Sequence, residues 1–312
     1  MRGIELSRKY FEECGKQMLI NKFEDILPKI AVGLVGSGSE CYGYDDVVSQ
    51  DHDFEPGFCI FVPDDIDSKT EFELERAYAK LPKEFSGYFR SKLNPIGGNR
   101  HGVIKTGDFY KRYTGFKTGF DNLMDWFFVP EYYLAEAVNG EIFVDNYGEF
   151  SSIRKSLSYY PDDVRTKKLA GYLLIMGQAG QYNYKRCIDH NQKGAAQLAV
   201  IRFAEASMSV VFLLNKKYMP YYKWSFKALS ELELLSHLGS DFEYLISSSN
   251  DDGDIENKMN VIENICEEIT EELKRQFACD ISGSEMEKIA YSINNNVVDG
   301  NIRNENILFA IN

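Results

Sequence analysis

Ile30-Ala31-Val32-Gly33-Leu34-Val35-Gly36-Ser37-Gly38-Ser39 is an apolar run that stops on glycines and serines, and Gln50-Asp51-His52-Asp53-Phe54 follows after a short connector. Residues 30–35 are continuously apolar and β-branched at three positions, which predicts a buried strand. Gly36 and Gly38 let the chain turn sharply and bring backbone N–H groups close to a ligand. Ser37 and Ser39 add hydroxyl donors, so Gly36 and Ser37 are expected to line a cradle for phosphate. Asp51 and Asp53 stand at i and i+2, which on a strand places both carboxylates on one face. Two like charges side by side repel, and a divalent cation relieves the repulsion. A phosphate cradle beside a metal-binding carboxylate pair outlines a site for phosphoryl chemistry.

The order and spacing of the turn and the Asp51-His52-Asp53 triplet resemble the nucleotidyltransferase superfamily, which has a polymerase-beta-like fold. Its signature is a glycine–serine turn followed by an aspartate, one residue and a second aspartate. Three stretches are similar to one bacterial branch: Tyr42-Gly43-Tyr44-Asp45, Gln50-Asp51-His52-Asp53-Phe54 and Tyr159-Tyr160-Pro161-Asp162-Asp163. That branch is a largely uncharacterised family with a nucleotidyltransferase-like first half and a helical second half.

The resemblance implies an α+β chain. A nucleotidyltransferase-fold α/β domain with a mixed sheet would occupy residues 1–155, and an antiparallel helical bundle residues 156–312. It implies transfer of a nucleoside monophosphate from a nucleoside triphosphate, ATP foremost, to a hydroxyl of a small molecule, with pyrophosphate released, as in antibiotic nucleotidyltransferases. Asp51 and Asp53 would hold one or two Mg²⁺ ions. Active members carry a third carboxylate on a later strand, and Asp108 within His101–Tyr110 takes that position as metal ligand or base. Lys223, in Asn215-Lys216-Lys217-Tyr218-Met219-Pro220-Tyr221-Tyr222-Lys223-Trp224, would meet the nucleotide phosphates; otherwise these cations simply end a buried helix favourably. Three alternatives stand beside this reading: a catalytically inactive nucleotide-binding or regulatory protein on the same fold, an enzyme that nucleotidylates protein or tRNA, and an antitoxin-like partner protein with the aromatic-rich second half as its interface.

The chain of 312 residues has 44% apolar residues, ample for a core, and 20 Tyr and 21 Phe for packing and stacking. A net charge of −13 argues against general nucleic-acid binding while leaving room for a local basic pocket. Six cysteines show no zinc-like spacing, so free thiols, no zinc and a cytoplasmic setting are expected. Neither a signal peptide nor an apolar run long enough to span a bilayer is read, so no membrane partner is expected.

Further along the chain, a helix is predicted over 6–27, ended by Pro28, and strands over 57–62, 101–110 and 141–145. Asp64, Asp65 and Asp67 read as a solvated turn and helix cap, and Asp145 as a local cap before a turn. His52 should point away from the two aspartates. From Val164 onward the pattern is helical, with helices over 195–214, 225–238, 256–278 and 284–292. Tyr182, Asn183 and Arg186 form a second polar group on a helix. The asparagine-rich tail ends in Ile307-Leu308-Phe309, an apolar segment suited to docking.

Overall fold

Ala31-Val32-Gly33-Leu34 forms the strand that its unbroken apolar character predicts, β1 (Ala31–Leu34), buried at every position. The structure, a computed structural model, describes residues 1–48, 54–90, 100–277 and 281–311. It is an α+β chain with a four-stranded mixed sheet and a helical C-terminal half. By contacts it divides into two units, Met1–Asp121 with Val129–Ser158, and Asn122–Phe128 with Tyr159–Asn312.

In the first unit, β2 (Cys59–Val62) runs antiparallel to β1 on one side, and a strand from Glu141–Asp145 runs antiparallel to it on the other. A further strand at Gly102–Lys105 lies parallel to β2 at the sheet edge. Helices α1 (Gly3–Tyr10) and α2 (Lys16–Lys22) precede β1, α3 (Ser39–Tyr42) lies between β1 and β2 in the chain, and α4 (Ser68–Ala79) follows β2. A small hairpin, β3 (Glu84–Phe85) and β4 (Tyr88–Phe89), precedes the edge strand, β5 (Gly102–Lys105). Helices α5 (Thr106–Thr114) and α6 (Glu131–Val138), strand β6 (Glu141–Asp145) and α7 (Glu149–Ser156) complete the unit.

Both faces of the sheet are covered, which is why β2 reads as continuously apolar rather than alternating. Val32, Ile60 and Val62 join Tyr10, Phe11, Leu74 and Tyr78 in one core. Phe61, on the opposite face, meets Phe150 of α7 at 4.2 Å and Phe109 of α5 at 5.2 Å between ring centroids. The first helix differs from its expectation. It runs from Gly3 to Lys22 through a π-helical turn at Phe11–Gly15, and Pro28 sits in a separate 3₁₀ turn, Leu27–Lys29. Phe23, at φ −137°, has already left the helix five residues before the proline.

The second unit comprises α8 (Asp162–Met176), a π-helical segment Gly177–Tyr184, α9 (Lys185–Asp189), α10 (Lys193–Leu214), α11 (Tyr222–Ser230), α12 (Gly239–Ser247), α13 (Asp252–Gln276), α14 (Met286–Asn294) and α15 (Gly300–Asn304). Asn122–Phe128 joins it, unlike in the sequence division at 155/156: the Trp126 ring lies 5.7 Å from Tyr160 and Phe127 lies 5.5 Å from Phe309. The helix expected over 225–238 is broken, because α11 stops at Ser230 and Leu235 has left-handed backbone before a 3₁₀ turn. Helix α10 has the length and apolar composition of a membrane span, contrary to the expectation from sequence, yet it is 67% buried over that stretch and packs on α8, α12 and α13.

The tail docks as its apolar end predicts. Buried Lys167 donates to Asn294 Oδ1 at 2.9 Å and to the carbonyls of Arg303 and Glu305 at 3.2 and 2.7 Å. Lys168 donates to the Ala310 carbonyl at 3.0 Å. Burial lowers the pKa of Lys167, and the ring of oxygens satisfies all three of its donors.

Gly33 lies beside a register shift in the β1–β6 ladder, where an added Cβ would run into the Glu141 carbonyl. Gly33→Ala is therefore expected to lower stability by about 1–3 kcal/mol, read as a lower urea midpoint. Gly194→Ala, in α10 with open space around it, should instead raise it by about 0.5–1 kcal/mol.

Candidate functional site

The turn after β1 has positive φ at two glycines, 99° at Gly36 and 129° at Gly38. Side chains would be strained at either, and a Cβ on Gly38 would run into the Arg100 guanidinium and the Glu40 carboxylate. The tight turn that the glycine–serine pattern predicts is therefore formed. What surrounds it was not visible in that pattern.

Four side chains hold the turn. Asn139, at the C-terminal end of α6, accepts from Gly36 N–H at 2.8 Å through Oδ1 and donates from Nδ2 to the Gly36 carbonyl at 2.8 Å. Tyr113 of α5 accepts from Ser37 N–H at 3.1 Å, and its hydroxyl lies 3.2 Å from Ser37 Oγ. Ser37 Oγ donates to Glu136 Oε2 of α6 at 2.7 Å. Arg100 donates to the Ser37 carbonyl at 2.8 Å and pairs with Glu40. Burial raises the Tyr113 pKa, so the phenol keeps its proton. Because an ionised carboxylate only accepts, the bonds order themselves from Tyr113 O–H to Ser37 Oγ and from Ser37 O–H to Glu136.

The loop carrying Asn139 is fixed in turn. Arg154 of α7 donates to the carbonyls of Val138, Asn139 and Gly140 at distances from 2.7 to 3.0 Å. It thereby satisfies the carbonyls at the end of α6 and adds positive charge where the helix dipole is negative. Gly140 N–H donates to the Cys41 carbonyl at 2.9 Å, so β6 and α3 close on the same corner. Helix α3 begins at Ser39 with no side-chain cap.

The expected cradle is thus answered by the chain itself: Gly36 N–H, Ser37 N–H and the Ser37 hydroxyl all have intramolecular partners. Asp51, His52 and Asp53 lie outside the described residues. Among the described residues no three His, Cys, Asp or Glu side chains gather as a metal set.

Asp108 is not on a strand. The strand stops at Lys105, and Asp108 lies in the first turn of α5, where its charge suits the helix dipole; it is 57% exposed and 3.5 Å from Lys117. Asp64 is more than a solvated turn residue: it accepts from Gly107 N–H at 2.8 Å and from Lys117 at 2.9 Å, pinning the start of α5. Asp67 caps α4 through Lys69 and Thr70 N–H, and Asp145 caps α7 through Gly148 and Ser151 N–H, as expected.

In the second unit, Lys223 is exposed on α11 with Nζ 5.0 Å from the Trp224 ring centroid. Arg186 and Tyr182 bond each other at 2.7 Å on an exposed face. Of the cysteines, Cys14, Cys41, Cys59, Cys187 and Cys266 are free thiols, and burial pushes Cys59 up to about 12.

The residues missed from sequence are Glu136, Asn139, Tyr113, Arg100 and Arg154. The one local sign was Asn139-Gly140, which marks the end of a helix.

A family model described as a domain of unknown function (DUF4037) matches residues 126–225, a span that includes Glu136, Asn139, Arg154 and Lys223. Among solved structures, the chain is similar to that of a nucleotidyltransferase-like protein from Exiguobacterium sibiricum 255-15, at 11% identity and a TM-score of 0.37, with 93% of this chain and 91% of that chain covered. No curated protein matches the chain.

Asn139→Ala leaves both Gly36 backbone groups without their partner, and a cost of about 1–3 kcal/mol is expected, measured by thermal or urea unfolding. Arg154→Lys keeps the charge but cannot reproduce the fork onto three carbonyls. It should lose most of what Arg154→Ala loses.

Proposed function

We propose that this chain is a nucleotidyltransferase that moves a nucleoside monophosphate from a nucleoside triphosphate, ATP foremost, to a hydroxyl of a small molecule. The observation that supports it best is the two-glycine, positive-φ turn at the end of β1, held in shape from four sides and followed in sequence by Asp51-His52-Asp53. In this reading the turn receives the terminal phosphates, and Ser37 offers its hydroxyl to them once Glu136 gives it up. Asp51 and Asp53 would hold Mg²⁺, which supplies charge neutralisation for the departing pyrophosphate. Lys223 would add a cation for the phosphates; Asp108 is set aside as the base, because Lys105 at the end of β5 pairs with Val62, at the Ala31 end of the sheet and away from Gly36. The acidic surface favours a cationic acceptor such as an aminoglycoside, and the setting is cytoplasmic.

A second reading, a nucleotide-binding regulator without turnover, is favoured by the place of Asp108: the expected third carboxylate is not on a strand but exposed in the first turn of α5.

The test is incubation with each labelled nucleoside triphosphate and Mg²⁺, with a cell extract as acceptor pool, following pyrophosphate. Release is expected and should vanish in Asp51→Asn/Asp53→Asn. Equal release by that variant would remove the metal assignment. Nucleotide binding without release from the wild type would favour the regulator.

A further inference from the structure

We infer that Glu136 governs access to the Gly36–Ser39 turn: its carboxylate holds the Ser37 hydroxyl, repels a bare polyanion, and thereby makes the site select a cation-complexed nucleotide over a free one. The inference rests on the proposed nucleotide site and names what decides its selectivity.

Three observations carry it. Ser37 Oγ donates its only proton to Glu136 Oε2 at 2.7 Å, so that hydroxyl cannot also donate to a phosphate. Among the described residues no cation pairs with Glu136: Arg100 is taken by Glu40 and the Ser37 carbonyl, and Arg154 by three carbonyls. The carboxylate is half-buried, so solvent screens it only partly. A phosphate oxygen brought to Ser37 would therefore meet, within a few ångströms, a carboxylate that has no ion pair among the described residues, beside an Arg100 guanidinium already paired with Glu40. It would also have to break the Ser37–Glu136 bond.

A divalent cation carried by the nucleotide changes both costs. It lowers the charge presented to Glu136, and it can offer the displaced carboxylate a counter-ion. Tyr113 then becomes the remaining partner of Ser37: with its phenol still protonated, it keeps donating to Ser37 Oγ and keeps accepting from Ser37 N–H. The hydroxyl of Ser37 is left oriented and free to donate outward. Glu136 is in this sense a specificity-determining residue rather than a catalytic one.

The experiment is equilibrium binding by calorimetry of two probes, ATP in excess EDTA and ATP with excess Mg²⁺, to the full chain. Wild type is compared with Glu136→Gln, Glu136→Asp and, as a remote control in the same unit, Glu149→Gln. Gln keeps an acceptor for Ser37 and loses the charge; Asp keeps the charge. Glu136→Gln is expected to tighten metal-free ATP at least tenfold and Mg²⁺-bound ATP by clearly less, so that the preference for the complexed nucleotide narrows. Glu136→Asp and Glu149→Gln should retain the wild-type preference.

Equal affinities for wild type and Glu136→Gln, with wild type binding ATP, would overturn the inference and leave the nucleotide site standing. Weaker binding by Glu136→Gln would make Glu136 a nucleotide contact and overturn it as well. The same gain in Gln and Asp would assign the effect to packing rather than charge. Absence of ATP binding in every protein, under both conditions, would remove the nucleotide site and the inference together.

Discussion

The side-chain amide of Asn139 bonds both the N–H and the C=O of Gly36, and the geometry of the turn after β1 depends on that pair of bonds. A buried strand end that reverses direction on two positive-φ glycines has no ladder partner for its peptide groups. Left to water, such a turn samples many shapes, since glycine is the residue with most conformational freedom to lose. An amide that imitates the edge of a neighbouring strand removes that freedom at one residue. Tyr113 and Arg100 do the same for the two ends of the next.

That constraint explains several features at longer range. Asn139 is useful only if the end of α6 is fixed, and Arg154 fixes it by gathering three successive carbonyls. Gly140 has to be glycine because a Cβ there would run into the Leu34 carbonyl, so β6 can lie close to the end of β1. Asp64 anchors the first turn of α5 through Gly107 N–H and so sets where Tyr113 arrives. Residues distant in sequence thus cooperate on one corner of the sheet. Within a low-dielectric corner each satisfied group strengthens its neighbours, and each unsatisfied one would be costly.

Much of the scaffold was legible in the sequence. The apolar runs at 30–35 and 57–62 announced buried strands, Asp67 and Asp145 announced caps, and the apolar end of the tail announced docking. Asp108 was misplaced because a strand that runs straight into a helix carries no breaker between them: Lys105 ends β5 and Thr106 begins α5. The helix over 225–238 was drawn too long for the opposite reason, since Leu235 adopts left-handed backbone without the glycine that would have flagged it. Asn122–Phe128 was assigned by chain order, but its aromatics found Tyr160 and Phe309.

By itself the sequence determined the buried strands at 30–35 and 57–62, where the glycines after the first of them turn, and which residue types could meet an anion. Those properties depend on neighbours a few positions away: periodicity, backbone permissiveness and capping. Only the tertiary structure decided that the donors of Gly36 and Ser37 are engaged by Asn139, Tyr113 and Glu136, from 76 to 103 positions along the chain. Hydrogen-bond partners are chosen by distances of about 3 Å and by direction, and no local pattern encodes which of several distant side chains will satisfy both.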